Sequence, residues 1–217
     1  MKRKQAGFTL VELAIVLVII GLLLAGILKG QELINSAKVK NLGADFRAIS
    51  TAYYGYLDKF RAVAGDDQAA NTHVTGGTVA TTPTNTPSTL GNGHIEGAWN
   101  STTTTDESYL FWQHVRLAGL MPGNTTTTTA AGYVPTNAQS GRLGISNTLP
   151  YTLATGEAAF GGAFYVCSDG ISGKLAKQLD ATMDDGVGNA GSMRVVSGTA
   201  SVASPVDDTT YFVCIAY

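Results

Sequence analysis

Apolar positions run almost unbroken from Phe8 to Leu28 (FTLVELAIVLVIIGLLLAGIL), with Thr9 and Glu12 the polar exceptions. At 1.5 Å per residue this stretch makes a helix of about 32 Å, enough to cross a bilayer core. Downstream the pattern changes. Val39, Leu42, Phe46, Ile49, Tyr53, Tyr56 and Phe60 recur at alternating spacings of three and four, which predicts one helical stripe. Lys38, Lys40, Asp45, Arg47 and Asp58 mostly fall on the other faces. The stripe fits either a coiled-coil seam between subunits or a core face against the protein's own sheet, and the second is favoured. One long helix from Phe8 to about Ala64 is expected, ended by Gly65-Asp66-Asp67. Gly21, Gly26, Gly30, Gly43 and Gly55 interrupt it, each costing about 1 kcal/mol relative to Ala. Local melting between Gly21 and Gly30 is left open.

Beyond the helix, residues 66–104 are rich in Thr, Gly, Asn and Pro and read as surface loops, with or without short edge strands. Thr104 and Glu107 have capping-box spacing before YLFWQHVRLAGL, which predicts a helix over Asp106–Ala118 ending at Gly119. Thr125–Thr129 reads as an extended strand or a glycan-bearing loop. Alternation and β-branched content predict antiparallel strands over Arg142–Ser146, Tyr151–Ala154, Ala159–Cys167, Met193–Ser197 and Tyr211–Ala216. Leu175, Leu179 and Met183 suggest a helix from about Ser172 to Asp184, closed by Gly186.

The remainder after the long helix is large enough for one domain with a real core. Charged residues are 14% of the 217-residue chain and the formal charge is −2. Two cysteines, Cys167 and Cys214, sit in alternating apolar segments. In a domain outside the cytoplasm they should be oxidised together; two buried free thiols are the other reading.

Glu12 is the anomaly. A carboxylate within a membrane segment costs about 2.5–3.5 kcal/mol and usually marks function; the plainer reading is an acid snorkelling to the interface. Lys2, Arg3 and Lys4 precede the apolar run and hold that end on the cytoplasmic side. An ordinary secretory signal is cut after its apolar region. Here the small residue, Gly7, stands before it. A cut between Gly7 and Phe8 would leave the helix on the mature chain. It would also create an amine at Phe8, one turn from the Glu12 carboxylate and within reach of a Glu12 on a neighbouring copy. Losing Met1–Gly7 removes Lys2, Arg3 and Lys4, which takes the charge from −2 to −5 and argues against nucleic acid as the main partner.

With its short basic leader, Gly7, Phe8, Glu12 and the apolar run, this segment resembles the amino terminus of type IV prepilins and type II secretion pseudopilins. The resemblance is sharp over residues 1–60. It implies cleavage after Gly7 by a prepilin peptidase, N-methylation of Phe8, and a helical filament with the apolar helices bundled at its centre. The implied fold is α+β and pilin-like: leader 1–7, transmembrane half-helix 8–28, amphipathic half 29–64, and a globular head over 65–217 carrying an antiparallel sheet. The implied protein is a structural filament subunit whose loops serve adhesion, motility or uptake, or else a minor pilin or pseudopilin binding cargo at the tip. It would sit in the inner membrane before assembly, and in an extracellular pilus or periplasmic pseudopilus afterwards. In this scheme Glu12 meets the Phe8 ammonium of an adjacent subunit and sets register more than it adds stability. Pilins of this type often carry Pro where this chain has Lys29. Gly65-Asp66, Trp112-Gln113-His114 and Asp184-Asp185-Gly186 also look like a group of prepilin-like proteins, a resemblance that implies no settled biochemical role.

Other chemistry is sparse. Gly186-Val-Gly188-Asn-Ala-Gly191 fits G-x-G-x-x-G, but Asp184 and Asp185 before it would repel a pyrophosphate, so no nucleotide is expected. Asp180, Asp184, Asp185 and Asn189 could offer oxygen ligands to Ca²⁺, as in the carboxy-terminal loop of some pseudopilins, against the alternative of an acidic helix end and turn. No cofactor is otherwise required. The turn Gly91–Glu96 is a weaker metal candidate. His73, His94 and His114 lack metal spacing, and no catalytic Ser or Cys/His arrangement is visible, so an enzyme is not expected.

Overall fold

A computed structural model describes residues 9–81, 90–127, 132–153 and 155–217. The chain divides into two compact units, Met1–Lys38 and Val39–Tyr217. Helix α1, Leu10–Phe60, contributes to both. It runs through all five glycines and stops earlier than expected. Arg61 takes a left-handed φ of 56° and breaks the helix before Gly65 is reached.

In the first unit the described residues, 9–38, are helical from Leu10 and almost wholly exposed. In the second unit the stripe is the core face. Val39, Leu42, Phe46, Ile49, Tyr53 and Tyr56 are buried in one cluster, and Phe60 is partly buried against it. Each such side chain stabilises the domain by about 1.5–3 kcal/mol.

The helices α2 (Ala70–His73), α3 (Glu107–Leu117) and α4 (Gly173–Met183) join five strands: β1 (Leu143–Ser146), β2 (Tyr165–Ser172), β3 (Met193–Ser197), β4 (Ala200–Ser201) and β5 (Thr210–Ala216). They form one antiparallel sheet in the order β1-β2-β5-β3-β4, so the expected α+β architecture is borne out. Ile145, Val166, Val195, Val213 and Ile215 face the helices. Tyr165, Cys167, Val196 and Cys214 face the other way.

That second face is covered by an irregular strap between β1 and β2, described over 147–153 and 155–164. Tyr151 and Phe160 pack from it onto the sheet, together with Trp99. Arg194, which is buried, and the shielded side chain of Glu157 fasten it. Arg194 Nε lies 3.6 Å from Glu157 Oε1 as an ion pair, and that oxygen accepts from Tyr151 Oη at 2.6 Å. Gly144 lies opposite Cys167 in the β1–β2 register, and the Trp99 backbone occupies the space a Cβ there would need.

Several boundaries move. Residues 151–153 are not a strand, and Ala154 lies outside the described residues. The strand expected over Ala159–Cys167 begins instead at Tyr165, because Phe160 and Gly161-Gly162 belong to the strap. Two-residue β4 was not anticipated. Residues 66–104 hold the short helix α2 and no strand among their described positions. Thr125–Thr127 are irregular, and Thr128 and Thr129 lie outside the described residues.

Candidate functional site

Gly7 and Phe8 lie outside the described residues, so the first well-placed feature is Glu12. Its Oε2 accepts from Thr9 N and Thr9 Oγ1, both at 2.8 Å, while Thr9 Oγ1 accepts from Glu12 N at 3.3 Å. This is a reciprocal capping box at the start of α1. The spacing Thr9-x-x-Glu12 could have announced it from sequence. A lone chain therefore already satisfies the carboxylate locally, and any second partner must compete with Thr9. Around Glu12 the apolar surface is continuous: Leu10, Val11, Ile15, Val18 and Ile19 are all exposed. The first ion pair along the helix is Lys29–Glu32 at 2.8 Å.

In the second unit, the close of α4 gathers Asp180, Asp184 and Asp185, with one oxygen of each within 4.8 Å of the others. The three differ in role. Asp184 Oδ2 accepts from Met193 N at 2.8 Å and so fixes the turn into β3. Asp185 Oδ1 accepts from Val187 N at 2.8 Å. Asp180 is buried, and its Oδ1 meets no donor among the described residues. Burial, then the charges of Asp184 and Asp185, push its carboxyl up to about 6. Asn189 lies in the following turn. The stretch 186–191 has β3 after it, not a helix, which removes the setting a dinucleotide loop needs.

Sequence reasoning missed a second acidic group. Asp66, Glu96 and Glu107 are all buried. Asp66 accepts from Gly91 N at 2.5 Å and Gly93 N at 2.7 Å. Glu107 Oε2 accepts from Glu96 N at 2.7 Å, so it does not close a capping box with Thr104; Asp106 takes the N-cap position. Burial and the charges of Asp66 and Glu96 push Glu107 up to about 8. A proton on Glu107 turns its repulsion of Asp66 into a hydrogen bond. The turn Gly91–Glu96 is thus a backbone clamp on carboxylates. Beside it, His114 Nδ1 accepts from Gly65 N at 2.9 Å, and Nε2 donates to Thr78 O at 2.8 Å. Burial lowers its proton affinity and keeps it neutral. Asp67 accepts from Tyr56 Oη and pairs with His73 Nδ1, both at 2.7 Å. These side chains tie the end of α1 to α3 and to the Gly91–Glu96 turn.

Cys167 and Cys214, directly opposite in the β2–β5 register, are joined by a disulfide.

No curated protein and no solved structure matches the chain. Residues 2–28 match the family described as Prokaryotic N-terminal methylation motif. With Glu12 at the head of an exposed apolar helix, the chain carries the prepilin-type cleavage and methylation signature of type IV pilins and pseudopilins.

Proposed function

We propose that the chain is a structural subunit of a type IV pilus or pilus-like secretion filament. Prepilin peptidase cuts after Gly7, Phe8 is N-methylated, and copies then associate through α1. The observation that carries this is the methylation motif over residues 2–28, leading into a helix whose large apolar residues from Leu10 to Ile34 are exposed. Before assembly the helix crosses the inner membrane once with its amino terminus cytoplasmic. Afterwards the domain faces outward, in a pilus or a periplasmic pseudopilus. The role is structural, not enzymatic.

Intact mass of the native protein tests the processing. The expected species lacks seven residues and carries one added methyl, and Gly7→Val stays at full length. Filament yield tests the assembly. Glu12→Ala should give a cleaved, membrane-inserted monomer and few filaments. A native protein that keeps Met1–Gly7, or a normal yield from Glu12→Ala, overturns the proposal. A tip or cargo-binding subunit is the second reading. Mass spectrometry of sheared filaments separates the two, since a main subunit dominates and a tip subunit is rare.

A metal reading of the α4 turn rests on a separate observation, the donor-free, buried Asp180 Oδ1 facing two further carboxylates. Hard oxygen donors of this kind suit Ca²⁺, with Asp180, Asp184 and Asp185 as ligands and Asn189 as a fourth oxygen source. Adding Ca²⁺ after EGTA treatment should raise the melting temperature. Asp180→Asn should abolish the rise, and an unchanged melting temperature in the parent refutes the site.

A further inference from the structure

The strap covers Cys167 and Cys214 but leaves the same sheet face open further along β5, where Phe212 is partly exposed. Three irregularities gather there. Strand β2 bulges between Ser168 and Ile171, so Asp169 and Gly170 leave the β5 register. Ser140 holds a left-handed φ of 63° without being glycine. Gly198, with φ 61°, turns β3 into β4. All three line one groove of about 460 Å³ floored by Phe212. Through Asp169, Gly198 and Phe212 the groove continues into a second hollow of about 350 Å³ beside Trp99 and Asn100. Bulges and strained residues concentrate where a chain re-aims its groups toward a ligand.

The lining chemistry narrows the occupant. Phe212 and Trp99 are a tilted pair with centroids 5.5 Å apart, which gives an aromatic floor. Around it stand amides and hydroxyls, Gln139 and Asn100 among them. Among the described residues, Asp169 is the one charged side chain that lines either hollow. Arg142 fixes that carboxylate through its main chain. Its backbone N–H donates to the Asp169 carboxylate, and its Nη1 donates to Asn100 O at 2.7 Å. No Lys or Arg lines the groove, so nothing there recognises phosphate, sulfate or nucleic acid. What fits is a ligand with apolar C–H faces and neutral hydroxyls. We propose that this groove binds a neutral oligosaccharide. The filament reading supplies its setting, an outward-facing surface, but binding itself needs only the folded domain.

The test uses the full chain in lauryldimethylamine oxide, a detergent without sugar. The array carries neutral hexose and N-acetylhexosamine oligosaccharides, their sulfated and sialylated counterparts, and a polylysine peptide. Retention on neutral probes is expected. Phe212→Ala should weaken the best of them about tenfold or more, by loss of the aromatic floor. The pair Asn100→Ala and Gln139→Ala should weaken it about three- to tenfold with an unchanged melting temperature, since neither side chain supports the fold. The proposal is overturned if no neutral probe is retained, if only charged probes bind, or if the Asn100/Gln139 variant binds like the parent. Glu12→Ala protein, kept as a detergent monomer, should bind the same probes. Its filament yield therefore fails or holds independently of the groove.

Discussion

Helix α1 contains two regions with opposite needs. Over Leu10–Ile34 the large apolar residues are exposed, and no residue is buried. Over Val39–Phe60 the apolar residues form one stripe, and the domain's own sheet and helices cover it. Helix propensity does not separate the two, because glycines occur in both. The difference is where the apolar side chains find neighbours. The second region finds them within its own chain. The first needs lipid or other copies, which is the physical demand that the methylation motif accompanies.

Substitutions can break this contrast, and the largest effect falls in the buried region. Phe46→Ala should cost about 3–5 kcal/mol in denaturant unfolding of the full chain in detergent. Leu17→Ala should shift the same transition by no more than about 0.5 kcal/mol while lowering filament yield. Equal effects would mean that the two regions are not distinct. Next comes the disulfide, which closes a loop of 47 residues within the second unit. Replacing both cysteines by Ser should cost about 2–4 kcal/mol in the same measurement and leave the α1 apolar region helical.

The third effect depends on pH. Glu107, with its carboxyl pushed up to about 8, binds its proton more tightly folded than unfolded. The native state therefore holds the extra proton between the ordinary carboxylate range and about pH 8, and stability falls as pH rises through that window. Melting temperature should decline from pH 5 to pH 9, and Glu107→Gln should flatten the decline. A slope unchanged by Glu107→Gln would show that Glu107 is not its source. The smallest effect is in the exposed region. Thr9→Ala removes the capping box, which is worth about 1 kcal/mol to the first turn. Amide exchange at residues 10–13 should quicken while the domain's unfolding stays put.

Periodicity carried much of the fold. The α1 stripe was legible because seven apolar residues kept a 3–4 spacing, and β3 because Met193–Ser197 carries the β-branched pair Val195-Val196 between turn-forming segments. The strap was not, since Ala159–Tyr165 alternates like a strand and only Gly161-Gly162 hints that it bends. Nor were the buried carboxylates. Asp66 is stabilised by the backbone of Gly91 and Gly93, about 25 residues later, and no local pattern reports so distant a donor. At the amino terminus the reverse held. Glu12 was conspicuous as a charge among apolar residues, yet its nearest partner was hidden in plain sight three residues away.

Gly144 has a consequence for redox chemistry. With no side chain there, Trp99 can settle against β1 and join the cluster that buries Cys167 and Cys214. A methyl group at that position would collide with the Trp99 backbone and push Trp99 out of the cluster that buries both cysteines, and reduction by small thiols should quicken. Part of the cover over this disulfide thus depends on an atom that is missing.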